Sequence, residues 1–417
     1  MLDLKFIREN PQKVQGALKA KNVDLSLEPI LSLEEERRAV IQEVEVLKSE
    51  RNKANEQIGT LKQEKKDASS AINAVKDISE KIKGLDQQAS EVNGQLKTLL
   101  LQIPNIPDES TPIGDPSKNK FIKEWGKPEA KFVKTNLKDH VELSSSLGWV
   151  SSAIGAKLTG SGFLFFKGMG AKLERALINF MLDVHGKEHG YEEVSPPFVV
   201  NRETMTGTGQ LPKLEDDMYQ LKDEDFFLIP TAEVPVTNAH REEVLTEDEL
   251  PKKYVAYTPC FRREAGSYGK DTKGLSRVHQ FDKVELVKFT KPESSYEEHE
   301  KLLENAEKIL QLLELPYRVV QLASGDLSFA AAKCYDLELW GPGSQTWFEV
   351  SSCSNFEDFQ ARRMNLKYRN KETNKLEFVH TLNASGLALP RTMIGILENY
   401  QKEDGSVEIP EVLKSYL

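Results

Sequence analysis

Apolar residues recur at alternating steps of three and four positions between residues 33 and 99. The repeat has two runs, the first at Leu33, Arg37, Val40, Val44, Leu47, Arg51, Ala54, Ile58 and Leu61, and the second at Val75, Ile78, Ile82, Leu85, Ala89, Val92, Leu96 and Leu99. Residues at this spacing share one face of an α-helix, and the polar stretch KKDASSA separates the two runs. The pattern predicts two long helices, over about 33–100, that pack antiparallel as a coiled-coil hairpin.

The repeat alone leaves the role of this hairpin open. A coiled coil is most often a dimerisation or spacer element, and periodicity by itself favours that interpretation. However, the seam contains Arg37 and Arg51, and each helix has its partner within the same chain. These two details favour an arm that reaches another molecule.

The helical pattern stops at Pro104 and Pro107, and the stretch PNIPDESTPIGDPSKNK has the composition of a linker. The chain is therefore predicted to have an N-terminal domain at 1–104, a linker at 105–120 and a second domain at 121–417.

In the second domain, short apolar segments predict strands, namely FFLIP, YVAYTP, DKVELVKF, YRVVQL, YDLELW and TWFEVSS. Few helical patterns interrupt them, which favours an α+β fold with an antiparallel sheet flanked by helices over a doubly wound parallel sheet. YEEVSPPFVV also has a strand pattern, and its two prolines predict a place at a sheet edge or an interface. The sequence contains neither GxxxxGK(S/T) nor GxGxxG, the two common nucleotide-binding loops.

Composition narrows the class of protein. The 417 residues suffice for two or three domains, and 39% hydrophobic with 29% charged residues is normal for a globular chain. The start, MLDLKFIREN, has no signal-peptide pattern, and no apolar segment has membrane-spanning length. Three widely spaced cysteines without CxxC favour a reducing compartment, so we expect a cytoplasmic protein without a membrane partner. The net charge of −10 counts mildly against a polyanionic partner but is compatible with a local basic face.

Polar residues cluster on the predicted sheet, where apolar residues are expected. They come from TAEVPVTN, FRRE, DKVE, FEVSS and LNAS, and comprise Thr231, Glu233, Arg262, Arg263, Glu264, Glu285, Glu349, Ser351, Ser352, Asn383 and Ser385. GLALPRTMIGILENYQ adds Arg391 at the start of an apolar helix, where the helix dipole and a guanidinium both favour phosphate. Each residue alone is typical of a surface ion pair. Together they predict a site for a ligand that is flat at one end and anionic at the other.

These segments resemble the class II aminoacyl-tRNA synthetases. FRRE with its following loop, Arg277 and Phe281 resemble motif 2 of that class, GLALPR resembles motif 3, and the helix before VSPPF resembles motif 1 together with that segment. The resemblance narrows to the seryl-tRNA synthetase family through GTGQLPK, TAEVPVTN, FRREAGSYGKDTKGLSRVHQFDKVE, FEVSSCSN and LNASGLALPRT, which follow that family's order. It spans essentially the whole chain.

The resemblance implies a class II catalytic domain, an N-terminal tRNA-binding arm and a homodimer. It also implies an activity, the ATP-dependent attachment of serine to tRNA(Ser) through seryl-adenylate, with release of AMP and pyrophosphate. Magnesium is the expected cofactor. Whether a selenocysteine tRNA is also charged is left open.

The same resemblance assigns roles to residues. Arg262 and Arg391 are the expected catalytic residues, as clamps on the α- and γ-phosphates, and Phe281 is expected to stack on adenine. The ATP-binding set is Arg262, Arg263, Glu264, Arg277, Phe281, Glu349, Val350, Ser351, Ser352 and Arg391. Glu349 and Ser352 are the expected magnesium ligands, and the serine-binding set is Thr231, Glu233, Glu285, Asn383 and Ser385. One carboxylate should face the serine ammonium and another the hydroxyl, with the order undecided.

Three positions depart from the family pattern. Arg263 stands where serine is expected, and Ala384 and Pro390 stand where glycine is expected. The glycines of AGSYGKDTKG are expected to let the loop move between ATP and the incoming tRNA end.

Two rival classes of protein share some of these features. A synthetase-like ligase that loads a carrier protein would have the same adenylation core but is expected to lack the long N-terminal hairpin. A non-catalytic coiled-coil scaffold has no reason to keep Arg262, Glu285, Glu349 and Arg391 together.

Overall fold

A computed structural model describes residues 1–265 and 274–417, and the chain forms two compact units. The first unit comprises Leu2–Lys19 and Val23–Pro104. The second comprises Met1, Ala20–Asn22 and Asn105–Leu417. The expected movement of AGSYGKDTKG falls mainly on residues 266–273, which lie outside the described part of the chain.

The first unit is helical. Its helices are α1 (Leu4–Glu9), α2 (Pro11–Ala20), α3 (Glu28–Gln63) and α4 (Ser69–Leu100). Five residues join α3 to α4, which pack against each other, and every seam residue of the two sequence runs is buried or half-buried. Gln88 Nε2 donates to Glu36 Oε1 at 2.9 Å, so that positions far apart in sequence face each other across the pair. The predicted antiparallel hairpin is confirmed, and the 36 residues of α3 span about 54 Å.

A charged cluster explains one of the seam arginines. Glu34 on α3 is only 2% exposed, and its two carboxylate oxygens accept from Arg37 Nε at 2.7 Å and from Arg8 Nη1 at 3.1 Å. Because both cations reach the same buried carboxylate, this part of α3 is also fastened to α1.

The second unit is built on an eight-stranded sheet in the order β1-β10-β11-β12-β15-β9-β8-β4. Its strands are β1 (Lys120–Trp125), β4 (Glu192–Glu193), β8 (Lys252–Phe261), β9 (Gln280–Thr290), β10 (Tyr317–Gln321), β11 (Lys333–Gly341), β12 (Thr346–Asn355) and β15 (His380–Ala388). Neighbours pair antiparallel except β4 and β8, which are parallel. The predicted α+β class with a largely antiparallel sheet is confirmed.

Smaller sheets and helices complete this unit. The short strands are β2 (Val150–Ser151), β3 (Phe165–Phe166), β5 (Val199–Asn201), β6 (Phe226–Leu228), β7 (Val244–Thr246), β13 (Lys367–Arg369) and β14 (Leu376–Phe378). The helices are α5 (His140–Leu147), α6 (Ser152–Leu158), α7 (Met169–Asp183), α8 (Arg202–Thr208), α9 (Glu233–Thr237), α10 (Ser295–Leu312), α11 (Phe359–Met364) and α12 (Leu389–Asn399).

One strand prediction needs correction, and another strand lies in a separate sheet. YEEVSPPFVV forms two strands, β4 and β5, and Pro196 and Pro197 lie between them because proline cannot donate to a ladder. β4 does lie at the edge of the large sheet. FFLIP forms β6, which pairs with β5 in a separate two-stranded sheet.

Side-chain alternation along β9 divides the core into two faces. Val284 and Leu286 belong to a large apolar cluster that includes α7, α10 and α12, whereas Val287 and Phe289 belong to a second cluster with α11. Successive side chains of a strand point to opposite faces of its sheet. The odd-numbered residues of β9 therefore share one face, and this face carries the site described next.

Candidate active site

A cavity of about 430 Å³ lies over the middle of the large sheet. Its floor consists of alternate residues from three neighbouring strands: Phe281 and Lys283 on β9, Asn383 and Ser385 on β15, and Val350, Ser352 and Ser354 on β12. Ser385 is paired with Glu285 in the β15–β9 ladder. The period of two in each strand places these polar side chains on a common face.

One end of the cavity is a hydrogen-bonded network of two carboxylates and an amide. Asn383 Nδ2 donates to Glu285 Oε1 at 2.8 Å and to Glu233 Oε2 at 3.1 Å. Lys283 Nζ forms an ion pair with Glu285 Oε2 and donates to Thr231 Oγ1 at 2.9 Å. This end therefore offers negatively charged acceptors that suit a small ligand carrying N–H or O–H donors.

The two carboxylates differ in their surroundings. Glu285 is ion-paired with Lys283, whereas the Glu233 carboxylate accepts hydrogen bonds from the side-chain amides of Gln360 and Asn383. Burial, with a smaller contribution from the neighbouring Glu285 charge, raises the pKa of Glu233 to about 7.

The other end of the cavity carries arginines and an aromatic ring. The Arg262 guanidinium lies 5.2 Å from the centre of the Phe281 ring, and its Nε donates to the Pro230 carbonyl at 3.3 Å. Arg391, in the first turn of α12, donates from Nη1 to the Glu349 carbonyl at 2.6 Å and from Nε to the Ser276 carbonyl at 3.2 Å. Two cations and the face of a ring suit a ligand with a planar base and phosphates.

A third arginine lies at the edge of this end. Arg277 Nη1 is 3.4 Å from Glu264 Oε2, and Glu264 has a positive φ of 49°. This left-handed backbone turns the chain after Arg262, so that Arg262 and Glu264 both line the cavity.

The predicted magnesium ligands are compatible with the ion. Glu349 is a half-exposed carboxylate, and Ser352 lies opposite Asp336 in the β11–β12 ladder. Burial, and next the charge of Glu349, raise the pKa of Asp336. A cation would relieve this repulsion. No group of three or more His, Cys, Asp or Glu with metal-binding geometry occurs in the described ranges 1–265 and 274–417.

The structure brings most of the predicted site residues to this one cavity. Thr231, Glu233, Arg262, Glu264, Arg277, Phe281, Glu349, Val350, Ser352, Asn383, Ser385 and Arg391 line it. Glu285 lies directly behind Asn383 and is 1% exposed. Ser351 faces away from the cavity and donates to the Ser385 carbonyl at 2.6 Å, and Arg263 is exposed to solvent.

Three further residues at the site were not predicted. Lys283 neutralises Glu285, and Gln360, on α11, holds Glu233. Lys21 comes from the N-terminal part of the chain, and its Nζ donates to the carbonyls of Ser328 at 2.9 Å and Ala331 at 2.6 Å. Residues 328–330 form one wall of the cavity. Lys283 is the lysine of DKVE, which is a sequence signal for it, whereas no motif marks the other two.

Comparisons with known proteins identify the family to which this chain belongs. The family model "tRNA synthetase class II core domain (G, H, P, S and T)" matches residues 214–400, and "Seryl-tRNA synthetase N-terminal domain" matches residues 1–107. A serine–tRNA ligase from Syntrophobacter fumaroxidans is 56% identical over 419 residues, covering 100% of this chain and 98% of the relative. This chain belongs to the seryl-tRNA synthetase family.

Solved structures of this family have the same fold. A seryl-tRNA synthetase from Pyrococcus horikoshii complexed with ATP has a TM-score of 0.93 and 40% identity, covering 100% of this chain and 98% of that one. A cytoplasmic serine–tRNA ligase from Naegleria fowleri in complex with AMP has a TM-score of 0.88 and 31% identity, with 100% and 97% covered.

Membership of this family establishes the activity of the protein. The synthetase is a class II serine–tRNA ligase that uses ATP to charge tRNA with serine, and homodimers are typical of its family. Within the described part of the chain, no helix combines the length and the apolar character that a membrane span requires.

Proposed function

We propose that both half-reactions of serine activation and transfer take place in the cavity over β9, β15 and β12. One observation carries this proposal: an arginine pair beside an aromatic ring and a carboxylate–amide network line the same cavity. The first suits ATP and the second suits a small amino acid with donor groups.

Serine binds at the carboxylate end. Thr231, Glu233, Glu285, Asn383 and Ser385 supply the oxygens and the amide that satisfy its ammonium and hydroxyl groups. Because these groups are buried, alanine would leave the hydroxyl-binding partners without a hydrogen bond and be rejected strongly. Threonine or cysteine is harder to exclude by binding alone.

ATP binds at the arginine end. Phe281 stacks on adenine and Glu264 contacts the adenine edge, while Arg262 and Arg391 hold the α- and γ-phosphates. Arg277, Glu349, Val350 and Ser352 complete the nucleotide site. Of the other two predicted members, Ser351 faces away from the cavity and can act only from behind the strand, and Arg263 is exposed.

In the first step, a serine carboxylate oxygen attacks the α-phosphorus, the bond to the bridging oxygen breaks, and pyrophosphate leaves. Charge builds up on phosphate oxygens during this step, and Arg262 and Arg391 are placed to stabilise it. No side chain has to act as nucleophile. Glu349 and Ser352 would hold magnesium, which would supply further charge neutralisation.

In the second step, the 3′-hydroxyl of the tRNA terminal ribose attacks the carbonyl carbon of seryl-adenylate, and AMP leaves. The α3–α4 hairpin is the proposed reader of tRNA(Ser), since Lys48, Arg51, Lys53, Lys62, Lys65 and Lys66 lie along α3 and its following turn. Duplex RNA is recognised largely through phosphates and 2′-hydroxyls, which such side chains contact.

We place the synthetase in the cytoplasm. Cys260, Cys334 and Cys353 are all free and buried, as is usual for proteins of a reducing compartment.

Serine-dependent exchange of pyrophosphate into ATP, followed by transfer of serine to tRNA(Ser), tests the proposal. We expect both activities. Exchange followed by transfer to a carrier protein instead of tRNA would support the rival ligase, and absence of exchange would refute the proposed site. Repeating the transfer with tRNA(Sec) decides whether that tRNA is also a substrate.

A further inference from the structure

Gln360 is a fully buried residue that touches the serine end of the cavity from behind. It lies on α11, which the sequence motifs of the family resemblance do not include, and it is 0% exposed. Its side-chain nitrogen donates to Glu233 Oε1 at 2.7 Å and to the Thr208 carbonyl at 3.1 Å.

A third contact determines how the Gln360 amide is oriented. Thr381 Oγ1 lies 2.6 Å from Gln360 Oε1, and the hydroxyl donates to this oxygen. Since the opposite end of the amide faces the Thr208 carbonyl, which only accepts, the NH₂ group must face Thr208 and Glu233. Thr381 is itself 1% exposed, so solvent does not compete for this contact.

The orientation of Gln360 determines what Glu233 can offer to a ligand. One Glu233 oxygen accepts from Gln360 and the other accepts from Asn383 at 3.1 Å. A carboxylate that accepts at both oxygens is favoured as the anion, because protonation would turn one acceptor into a donor facing another donor. Lone pairs that remain on these oxygens can accept only from a ligand's N–H or O–H group.

We propose that Gln360 is a positioning residue for serine: with Thr381 behind it, it keeps Glu233 an acceptor-only carboxylate, and so makes the pocket select ligands with a hydrogen-bond donor. This proposal deepens the proposed function and rests on it. It assigns Gln360 a role in serine binding that acts through Glu233, without contact to the reacting atoms.

The pH dependence of serine use follows from this arrangement. Burial and the Glu285 charge raise the pKa of Glu233, while the Gln360 hydrogen bond and the nearby Lys283 and Arg262 lower it, with a balance at about 7. Serine donors bind the ionised form, so kcat/KM for serine should rise with pH through about 7 and fall below it. Loss of the Gln360 hydrogen bond removes one of the contributions that lower the pKa of Glu233. The rise in kcat/KM for serine should then occur at higher pH.

The experiment measures kcat/KM for serine in pyrophosphate exchange between pH 5.5 and 9 for the full-length protein and three variants. Gln360→Met removes the donors at similar volume, Thr381→Val leaves Gln360 in place but removes the group that orients it, and Gln311→Met is the matched control. Gln311 donates to the Tyr317 hydroxyl at 2.9 Å and does not line the cavity.

For Gln360→Met we expect the acidic limb of the pH profile, in which kcat/KM for serine rises with pH, to move up by about one pH unit. Serine KM at pH 7 should rise about tenfold, and KM for ATP should stay within about twofold. Thr381→Val should move the limb in the same direction by less. Gln311→Met should leave it in place.

Two different failures are distinguishable. If the parent protein shows no serine-dependent exchange, the proposed function itself fails. If the parent is active but both Gln360→Met and Thr381→Val keep the parent limb, while kcat or thermal stability falls, Gln360 is only a packing residue and the inference is wrong. Should Gln360→Met not fold, the Thr381→Val result decides alone.

Discussion

At the scale of single residues, the arginines that the sequence predicts for the site differ in whether they line the cavity. Arg262 and Arg391 line the cavity, whereas Arg263, adjacent in sequence to Arg262, is exposed. The FRRE and GLALPR segments contain all three arginines, and the sequence does not separate those that line the cavity from the exposed one. The direction of each side chain, which depends on the element that carries it, decides which arginine can touch a phosphate.

Arg262→Ala and Arg391→Ala should each lower the rate of adenylate formation by about a hundredfold, with a smaller change in serine KM. A charge-assisted contact to phosphate in a partly dry site contributes about 2–4 kcal/mol. Single-turnover formation of seryl-adenylate measures this. Arg318→Ala is the control, because Arg318 pairs with Glu338 on the same sheet and does not line the cavity. Near-parent rates for either cavity variant would remove that arginine from the mechanism.

The sequence identified residues in or next to the cavity where a short segment contains several polar groups. It missed contacts between residues that are far apart in the sequence. Asn383 and Glu285 stand in short segments with an unusual polar content, and both were found. Gln360 and Glu233 are 127 positions apart, and nothing local on α11 distinguishes a buried glutamine from an exposed one. Lys283 stands between Asp282 and Val284, and a strand pattern alone does not separate a lysine that pairs with a buried glutamate from one that faces solvent.

At the scale of elements, the wall at residues 328–331 depends on a side chain from far away. Lys21 donates to three main-chain carbonyls, those of Ser328, Phe329 and Ala331. Asn105 adds its amide to the carbonyl of Ala330 at 2.9 Å. A loop whose carbonyls are held in this way needs no regular secondary structure to keep its shape.

Lys21→Met should lower the free energy of unfolding of the second unit by about 3 kcal/mol, because each buried carbonyl that loses its partner costs about 1–3 kcal/mol. Urea unfolding followed by tryptophan fluorescence measures this, since all four tryptophans lie in that unit. Lys19→Met changes an exposed lysine two residues away and should be neutral. Equal stability of the two variants would contradict the structural role of Lys21.

The hairpin allows a clean separation of chemistry from tRNA recognition. Glu36 and Gln88 face each other, so replacing residues 38–86 by a short Gly–Ser turn shortens α3 and α4 in register and keeps the Glu34 cluster. Pyrophosphate exchange should stay within about twofold, because every proposed chemical group lies beyond residue 230. Aminoacylation of tRNA should fall by about a hundredfold or more, as phosphate contacts are lost.

Measurements of both activities at several salt concentrations complete this test. Parent aminoacylation should weaken as salt rises, and the shortened variant should lose that dependence. A shortened variant that charges tRNA at the parent rate would show that the hairpin is a spacer.

Helices and strands were predicted best where the periodic pattern of apolar residues is strongest. Every seam position of the hairpin was predicted, because a heptad repeat over many helical turns is compatible with few other structures. β15 was not predicted as a strand, since HTLNASGLA mixes polar and small residues where the site requires them. YEEVSPPFVV was assigned one strand although its prolines separate two.

At the scale of the whole molecule, we predict that the segment 171–200 forms the two-fold interface of the homodimer. It contains most of the apolar helix α7 and the prolines that follow it, and Phe198 and Val199 are 39% and 40% exposed. Apolar side chains at an isologous contact are buried by the same surface of a second copy.

Phe198→Glu should weaken dimerisation by about 2 kcal/mol or more, because the same charge enters the interface twice. Sedimentation over a range of micromolar concentrations measures the dissociation constant. Phe121→Glu, on the edge strand β1, is the control, since Phe121 is more exposed and lies outside the segment. A parent protein that sediments as a monomer at micromolar concentration would rule out this interface.

The alternation of side chains along β9 and β15 has a consequence for how this site can change in evolution. Lys283, Glu285, Asn383 and Ser385 occupy every second position, and the positions between them, such as Val284, Leu286 and Ala384, pack in the opposite layer. Ligand preference and core packing therefore depend on two alternating sets of positions in the same strands, and each set can be substituted separately. Point substitutions can alter one set while the other stays constant. A one-residue insertion in either strand before the site would exchange the two sets, so insertions should be confined to the loops.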